Sequence, residues 1–351
     1  MKKKVTSQDI ADKLGLSRNT VSKALNNHTS IAETTRKLII KNAVDMGYKR
    51  VKCRPWMNEN NNFIKTGNIV AVTHEQFVDP SFWAFVSRGM VDSLSKSGYN
   101  LIFHYVKKND EEYRIIPQSI SSSNVDGIII LGSLKVDYLK EILKTGFPTV
   151  YVDAAIDLFG AGFMRDTILM ENQASVYQIT RSLIQQGHTK LGFIGDIGFC
   201  KSYQERWLGF KTAMEDAKIN VNQQYCMIEK SADHYQTYED VSAHLAKKPQ
   251  LPTAFVCAND RTAIYVIKML REKGINTPVD IAVSGFDDIF EATVVEPHLT
   301  TVRINKEEIG RRAAEELLWR ILNPDRPFEI IHIATEVIFR DSTLKKITTL
   351  S

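Results

Sequence analysis

The fold of the N-terminal segment is decided by the stretch Val5-Thr-Ser-Gln-Asp-Ile-Ala-Asp-Lys-Leu-Gly-Leu-Ser-Arg-Asn-Thr-Val-Ser-Lys-Ala-Leu-Asn26. Its apolar residues recur at helical spacing on either side of a single glycine, Gly15. Glycine tolerates the positive φ angle that is needed where a helix stops abruptly. The pattern therefore predicts two short amphipathic helices that are separated at this glycine.

Polar residues at the helix ends support this division. Thr6 can cap the first helix together with Asp9, three residues later, and Ser17 can cap the second helix. A third periodic stretch over residues 38–46 ends before Gly47. We therefore predict an all-α head over residues 1–48, in which the second helix begins with exposed polar residues, as in a helix-turn-helix domain.

The charge of the 351-residue chain is unevenly distributed. Residues 1–54 hold 13 Lys and Arg against 4 Asp and Glu, whereas the rest holds 32 against 37. A basic segment suits a polyanion, because each phosphate that it neutralises releases condensed counterions. Charge alone does not separate this interpretation from a solvated basic surface.

The residue types of the second predicted helix favour contact with duplex DNA. Arg18 and Asn19 suit base edges in the major groove, since arginine pairs with guanine and asparagine with adenine. Lys23 suits a base or a phosphate, and the remaining polar residues suit phosphates. The alternative is a helical hairpin that only packs. The complete set of predicted DNA-binding residues is Thr6, Ser17, Arg18, Asn19, Thr20, Ser22, Lys23, Asn26, Arg36 and, in the following segment, Met57.

The quoted stretch, with Thr35-Arg36 and Met46-Gly47-Tyr48, closely resembles the head of the lactose-repressor (LacI/GalR) family. The resemblance implies a homodimer that reads a palindromic operator and whose recognition helix presents Arg18, Asn19 and Lys23. Ala32 departs from the family pattern, which usually has a capping Ser or Thr before the third helix.

The segment 49–67 corresponds to the hinge of that family, where a helix inserts an apolar side chain into the minor groove of the operator. By position this wedge is Met57, with Trp56 as the alternative. Pro55 would lie inside such a helix, where proline removes a hydrogen bond. The residues that follow, Asn58 to Gly67, are polar and prone to form turns, so a plain flexible linker is an equal interpretation.

Residues 68–342 alternate short apolar runs with amphipathic helical stretches, beginning with Asn68-Ile-Val-Ala-Val-Thr73. Such alternation predicts an α/β body with doubly wound parallel sheets. At this length we expect two lobes with a site between them. We assign residues 68–165 and 302–327 to the N-lobe, residues 166–301 and 328–342 to the C-lobe, and residues 343–351 to a tail.

Polar residues that directly follow the apolar runs are candidates for a ligand site, because ligands bind beyond the carboxyl ends of parallel strands. Carboxylates, an amide and a guanidinium together suit the hydroxyl groups of a sugar, and aromatic rings suit its apolar face. The alternative is that the aspartates cap helices, which we favour for Asp260 and Asp288, and that the aromatic residues are core. The predicted effector-binding residues are Phe82, Trp83, Asp153, Arg206, His234, Asn259 and Asp287.

The body also resembles the effector domain of the LacI/GalR family. The resemblance implies a fold similar to periplasmic sugar-binding proteins, a cleft that binds the effector, and dimer contacts along both lobes. A sugar or sugar derivative that induces is the expected effector, and a purine-like corepressor is the minority alternative. The landmark segments are Gly187-His-Thr-Lys-Leu-Gly-Phe-Ile-Gly195, Arg206-Trp-Leu-Gly-Phe210, Ala258-Asn-Asp-Arg-Thr-Ala263, Val283-Ser-Gly-Phe-Asp-Asp288 and Pro297-His-Leu-Thr-Thr-Val302.

Other function classes find little support in the sequence. No zinc-protease, nucleophile-elbow or phosphate-loop motif occurs, so we expect no catalysis, metal or cofactor. Four cysteines lack metal or disulfide spacing, and no secretory signal or long apolar run is present, so we expect a cytoplasmic protein. The rivals are a solute-binding protein and a sugar-modifying enzyme that uses Asp153 and Asp287. The tail is too short for a coiled coil, so we expect a dimer.

Overall fold

The computed structural model describes residues 5–25, 31–46, 65–75, 80–122, 124–160 and 163–344. The chain forms two compact units. One contains the residues up to Asn68 together with Gln118–Asp126, and the other contains the remaining body. No helix among these described ranges is both long and apolar enough to cross a membrane.

Helices and strands alternate along the described chain. The helices are α1 (Ser7–Leu14), α2 (Arg18–Leu25), α3 (Glu33–Asp45), α4 (Pro80–Lys96), α5 (Lys108–Tyr113), α6 (Gln118–Ser121), α7 (Val136–Lys144), α8 (Asp157–Gly160), α9 (Gln173–Gln185), α10 (Lys201–Asp216), α11 (Tyr238–Leu245), α12 (Asp260–Glu272) and α13 (Lys306–Leu322), with 3₁₀ turns η1 (Gln223–Tyr225) and η2 (Phe290–Thr293). The strands are β1 (Asn68–His74), β2 (Asn100–Val106), β3 (Gly127–Leu131), β4 (Thr149–Val152), β5 (Asp166–Met170), β6 (Leu191–Ile194), β7 (Ala254–Cys257), β8 (Ala282–Ser284), β9 (Thr301–Arg303), β10 (Ile330–Ile333) and β11 (Glu336–Ile338).

The three helices of the head pack around one small apolar core, as predicted. Half-buried Val5, Leu14 and Leu16 pack against it, whereas Leu38, which the periodicity of α3 placed in the core, is 50% exposed. The buried members of this core are Ile10, Ala11, Val21, Ala24, Leu25, Ile39 and Ala43.

The predicted helix ends are confirmed. The amide of Asp9 donates to the Thr6 hydroxyl oxygen (3.3 Å), and the amide of Thr6 donates to the Asp9 carboxylate (2.7 Å), which completes a capping box. Gly15 has a φ angle of 64° and ends α1. The Ser17 hydroxyl oxygen accepts from the amide of Thr20 (3.0 Å) at the start of α2.

The first sheet of the body has six strands in the order β10-β5-β4-β3-β1-β2. The pairings of β1 with β3, β3 with β4, β4 with β5 and β5 with β10 are all parallel. Helix α13 packs on α4 and on the middle strands. A Cβ atom on Gly310 of α13 would lie 1.8 Å from the carbonyl oxygen of Val86 on α4, so this glycine permits the close helix packing.

The second sheet contains β6, β7 and β8, which are parallel and fully buried. Helices α9 and α12 pack on β7, α10 packs on α9, and α11 packs on α12. Strands β9 and β11 form a separate antiparallel pair. Two parallel sheets flanked by helices confirm the predicted doubly wound architecture.

The predicted division between the lobes was wrong at two strands. We placed residues 166–301 and 328–342 in the C-lobe, but β5 pairs with β4, and β10 pairs with β5, so both strands extend the first sheet. The apolar run of β5 is equally suited to either sheet, and only backbone hydrogen bonds to distant residues decide between them. Buried Asp166 anchors this edge, because its carboxylate accepts two hydrogen bonds from Arg320 of α13 (2.6 and 2.7 Å).

Candidate functional site

The first turn of α2 carries an exposed polar surface. Arg18 and Asn19 are exposed, whereas Val21, Ala24 and Leu25 on the opposite face are buried in the head core. Because the buried face fixes the rotation of the helix, the side chains at its start project into solvent, as a recognition helix requires.

The remaining predicted DNA-binding residues have different environments. Thr20, Ser22 and Lys23 are half-buried on α2. The hydroxyl groups of Thr6 and Ser17 act in the head itself, where they hydrogen-bond Asp9 and Thr20 at the helix starts. Asn26 and Met57, together with the alternative wedge Trp56, lie outside the described residues.

Arg36, which we predicted to contact a phosphate, is buried in the head. Its side chain is only 5% exposed, and its guanidinium donates to the carbonyl oxygen of Ile31 (2.8 Å). This contact ties the segment before α3 to the helix. Sequence reasoning missed it because a basic residue in a basic head was assumed to be exposed.

The body contains a cavity of about 990 Å³, and all seven predicted effector-binding residues line it. Its walls come from the carboxyl ends of strands of both parallel sheets. This is the edge at which open α/β sheets bind ligands. The residues at these strand ends are His74 at the end of β1, Gly132 after β3, Asp153 after β4, Met170 at the end of β5, Asp196 after β6, Asn259 after β7 and Asp287 after β8.

Arg206 on α10 is the most heavily bonded of the seven residues. It donates to the side-chain oxygen of Asn172 (2.9 Å) and to the carbonyl oxygen of Ala258 (2.6 Å), and its guanidinium carbon lies 3.6 Å from the centre of the Phe286 ring. The Asp287 carboxylate lies 3.7 Å from its Nη2 atom. These contacts hold the guanidinium rigidly at the cavity wall.

The loop after β8 has an unusual backbone. Asp287 and Asp288 have φ angles of 117° and 47°, which non-glycine residues rarely adopt. Although burial disfavours the charge of Asp288, its carboxylate accepts hydrogen bonds from Arg340 (2.6 Å) and Arg303 (2.8 Å).

The carboxylate of Asp288 pairs with Arg340 and Arg303, and these ion pairs hold its pKa below the ordinary value. The charge of Asp288 therefore stabilises the loop after β8. Asp288 caps no helix, contrary to our expectation, and it does not line the cavity. Lys306, the first residue of α13, donates from its Nζ atom to the carbonyl oxygens of Asp287 and Asp288. These contacts fix the direction in which the Asp287 carboxylate points.

Asp153, after β4, also has a left-handed backbone, with a φ angle of 58°. Its Oδ1 atom accepts from the amides of Ala154 (2.8 Å) and Ser202 (3.3 Å). Burial raises the pKa of this carboxyl group above its ordinary value. Since Ser202 belongs to α10, Asp153 connects the end of a first-sheet strand to a helix that covers the second sheet.

Asn259 both lines the cavity and caps α12, whereas Asp260, which we expected to be the cap, does not cap the helix. Asn259 caps α12, because its Oδ1 atom accepts from the amide of Thr262 (2.8 Å), and its amide nitrogen donates to the Tyr203 hydroxyl. Asp260 is fully buried, and its carboxylate accepts from the amide of Ile289 (2.9 Å) and from the Thr301 hydroxyl. Burial raises the pKa of Asp260 to about 7.

Aromatic rings line the cavity on both lobes. Phe82 packs edge-on against Trp83, with ring centres 4.9 Å apart. His234 stacks on Phe199 (4.1 Å between ring centres), and its Nδ1 atom lies 2.6 Å from the Asp196 carboxylate. Phe82 is nearly buried yet reaches the cavity wall, so it is both a core and a lining residue.

Asp196, Phe199 and Tyr203 are among the lining residues that sequence reasoning missed. Asp196 lies two residues after the end of β6, so the rule that found Asp153 and Asp287 would also have found it. The two aromatic residues lie at the start of α10, where no local pattern separates a cavity residue from a core residue. Among the described residues, no group of three His, Cys, Asp or Glu side chains is arranged to hold a metal ion.

Comparison with known proteins identifies both parts of the chain. Residues 6–50 match the family described as bacterial regulatory proteins, lacI family, and residues 180–343 match the periplasmic binding protein-like domain. The HTH-type transcriptional repressor PurR of Haemophilus influenzae (strain PittEE) is 27% identical over 343 residues, which cover 96% of this chain and 98% of that protein. PurR of Vibrio vulnificus (strain CMCP6) is 28% identical over 350 residues, which cover 97% and 99%.

Solved structures share the fold. The transcriptional regulator CelR in complex with cellobiose aligns with a TM-score of 0.69 at 22% identity, covering 97% of this chain and 100% of that one. The lac repressor dimer bound to operator and the anti-inducer ONPF aligns with a TM-score of 0.65 at 18% identity, covering 98% and 100%. These relatives and neighbours are transcription regulators and not enzymes. The chain therefore combines a helix-turn-helix DNA-binding domain of the lacI family of bacterial regulatory proteins with a periplasmic binding protein-like domain.

Proposed function

We propose that this chain is a cytoplasmic transcriptional repressor that binds a palindromic operator as a homodimer and that a sugar or sugar derivative in the cavity releases it from DNA. The observation that carries the proposal is the convergence of all seven predicted effector-binding residues on one cavity in a protein with a lacI-family head. The domain limits that we propose are 1–48 for the head, 49–67 for the hinge or linker, and 68–342 for the effector domain.

Specific DNA recognition rests on the exposed start of α2. Arg18 and Asn19 carry the two side chains best suited to pair with guanine and adenine edges. Thr20, Ser22 and Lys23 continue the same helix with groups that suit phosphates or bases. The exposed caps Thr6 and Ser17 hold the helix starts, and any contact that they make with DNA would be secondary to that role.

A polyhydroxylated effector is supported by the polar groups of the cavity. The carboxylates of Asp153 and Asp287 and the guanidinium of Arg206 offer both acceptors and donors, and Phe82 offers an aromatic surface. The CelR structure contains cellobiose, and the structure of a LacI family regulator from Enterococcus faecium contains bound ribose. These ligands belong to those two proteins, and they support sugars as the first class of effector to test for this chain.

Homodimerisation is supported by apolar side chains that the single chain leaves exposed. Phe85 and Val91 are exposed on α4, and Tyr105 is exposed on β2, the edge strand of the first sheet. Phe290 is 77% exposed beside the second sheet. Large exposed apolar surfaces typically mark sites of protein association. A dimer with contacts along both lobes requires such side chains on each lobe.

The coupling between effector and DNA requires that the effector bind the DNA-competent and DNA-incompetent conformations with different affinities. Two hydrogen bonds at the cavity wall join loops of the two sheets: the Ser133 hydroxyl donates to the carbonyl oxygen of Phe199 (3.0 Å), and the amide of Lys201 donates to that of Ala154 (2.9 Å). An effector that rotates the lobes must break or strengthen these two hydrogen bonds. They therefore contribute to the free-energy difference between the DNA-competent and DNA-incompetent conformations.

The test begins with operator selection from a random duplex library by the full-length chain. We expect enrichment of a two-fold symmetric sequence and binding of one dimer per site by fluorescence anisotropy and sedimentation. Candidate sugars are then added to the complex, and release of DNA supports induction. Release by no sugar, together with tighter DNA binding on addition of hypoxanthine or guanine, would instead support the purine-like corepressor. Failure to enrich any symmetric duplex would refute the proposal.

A further inference from the structure

One end of the cavity contains Asp196 and Phe199, which the predicted effector site does not include, beside His234, which it does. Phe199, Asp196 and His234 line the same cavity as Arg206 and Asp287 but form their own set of contacts. Phe199 precedes α10, whereas Arg206 lies in the second turn of that helix, so the two side chains belong to different parts of the cavity wall. The cavity therefore has two polar and aromatic regions.

The ring of Tyr203 lies next to both regions. Its centre is 5.8 Å from the centre of the Phe199 ring, and the guanidinium carbon of Arg206 is 5.6 Å from it. The Tyr203 hydroxyl is engaged by the side-chain amide of Asn259. Tyr203 therefore lies between two groups of residues. Phe199 and His234 form one group, and Arg206 and Asp287 form the other.

The position of His234 is held by a buried carboxylate. Asp196 is 2% exposed, and its Oδ2 atom lies 2.6 Å from Nδ1 of His234, while its Oδ1 atom accepts from the amide of Gly198 (3.0 Å). With the Nδ1 proton donated to Asp196, the Nε2 atom of a neutral imidazole is a hydrogen-bond acceptor. Because His234 also lines the cavity, this acceptor is available to a ligand hydroxyl.

The backbone that carries His234 is strained. His234 and Tyr235 have φ angles of 52° and 60°, a left-handed conformation that is unfavourable for residues other than glycine. The amide of Tyr235 donates to the Asp240 carboxylate (2.9 Å) and to the Ser231 hydroxyl oxygen (2.9 Å), which hold the turn. Strain that the surrounding structure maintains is typical of ligand-binding positions.

The size of the cavity exceeds the need of one sugar ring. Its volume of about 990 Å³ lies at the upper end of the range of roughly 300–1,000 Å³ for small-molecule sites. Each of its two regions pairs aromatic surface with a carboxylate: Phe82 with Asp287, and Phe199 with Asp196. An aromatic surface beside a hydrogen-bonding group is the arrangement that suits one pyranose ring.

We propose that Phe199, His234 and Asp196 form a second sugar subsite, so that the effector is a disaccharide with one ring at Asp287 and Arg206 and the other on the stacked Phe199 and His234 rings. This inference rests on the proposed sugar effector and specifies its size. Phe199 contacts the apolar face of the second ring, and Nε2 of His234 accepts a hydrogen bond from one of its hydroxyl groups. Asp196 is a positioning residue that acts through His234.

The test is calorimetric titration of the full-length protein with glucose, galactose and ribose, and with cellobiose, maltose, lactose and trehalose. We expect one disaccharide to bind at least 10-fold more tightly than its component monosaccharides. Phe199→Ala and His234→Ala should lower the affinity for that disaccharide about 10-fold and leave any monosaccharide affinity unchanged. Asp196→Asn should weaken disaccharide binding less, since the asparagine side chain can still accept from Nδ1.

His298→Ala is the matched control, because His298 also lies beside an aspartate (3.5 Å to Asp341) but does not line the cavity. Thermal unfolding of each variant verifies folding, and His234→Gln replaces His234→Ala if the latter unfolds. Monosaccharides that bind as tightly as disaccharides, or subsite variants that behave like His298→Ala, would overturn the subsite and leave the sugar site standing. If no saccharide of either size binds, both the sugar effector and the subsite are wrong.

Discussion

Lys306 holds the loop of Asp287 from the opposite lobe: its Nζ atom, on the first residue of α13, donates to the carbonyl oxygen of Asp287 after β8. Helix α13 packs against the six-stranded sheet, whereas β8 belongs to the three-stranded sheet. The same ammonium group lies 5.9 Å from the centre of the Phe82 ring. The Lys306 side chain thus binds the backbone of one cavity residue, Asp287, and lies near the ring of another, Phe82. It also joins the two lobes.

We expect Lys306→Met to weaken effector binding about 10-fold, because it removes a charged donor that positions Asp287 and such hydrogen bonds contribute about 1.5–3 kcal/mol. The methionine retains most of the aliphatic stem, so the free energy of unfolding should change less than the free energy of binding. Calorimetric titration and chemical denaturation measure the two quantities. Lys268→Met, on the exposed surface of α12, is the control, and an equal loss in both variants would contradict the assigned role.

Arg18→Ala should lower the affinity for the selected operator by roughly 10- to 100-fold, since a bidentate pair with a base contributes about 1–3 kcal/mol of discrimination. Binding to unrelated duplex should fall much less. Fluorescence anisotropy with both duplexes at one fixed salt concentration gives the ratio. Arg271→Ala removes the same charge from exposed α12 and should leave both affinities unchanged. An equal loss on both duplexes would show that Arg18 contacts phosphate instead of a base.

Arg36→Met should destabilise the head and leave the salt dependence of DNA binding unchanged, because this buried guanidinium donates to the carbonyl oxygen of Ile31. We expect a loss of about 1–3 kcal/mol in the stability of the head, as for other buried polar groups that lose a partner. Hydrogen exchange of α3 amides measures this loss. A fall of about 0.9 in the slope of log K against log salt concentration would indicate instead that Arg36 neutralises a phosphate.

The buried carboxyl of Asp260 predicts a pH dependence of stability. Burial raises its folded-state pKa to about 7, above the ordinary value of 3.8. The folded state therefore retains a proton that the unfolded state releases, so the free energy of unfolding should fall as pH rises from about 4 to about 7. The total change is a few kcal/mol, since one pKa unit corresponds to about 1.4 kcal/mol.

Asp260→Asn should remove this contribution, because an asparagine can accept from the amide of Ile289 and donate to the Thr301 hydroxyl without any charge. Denaturation at pH 5 and pH 8 gives the two free energies for wild type and variant. Glu291→Gln, at an exposed position of η2, serves as the comparison. If the free energy of unfolding changes between pH 5 and pH 8 by the same amount in wild type and in Asp260→Asn, the raised pKa of Asp260 is contradicted.

Much of the site followed from one rule applied to the sequence. Polar residues directly after apolar runs led to Asp153, Asn259 and Asp287, and all three line the cavity. The rule succeeded because parallel strands end at the same edge of a sheet. The rule does not distinguish between two adjacent polar residues after the same strand. Asn259 and Asp260 both follow β7, yet Asn259 caps α12 and lines the cavity, whereas Asp260 is buried away from it.

The sequence by itself determined the local elements: the helices of the head with their caps at Thr6 and Ser17, the break at Gly15, and the alternation of strands and helices in the body. These features depend on the spacing of apolar residues and on the conformations that individual residues allow, and both are properties of neighbouring positions. Only the tertiary structure decided that β5 and β10 complete the first sheet, that Arg36 is buried, and that Phe199 and Asp196 lie beside His234. Those outcomes depend on contacts between residues far apart in the chain, which local periodicity does not encode.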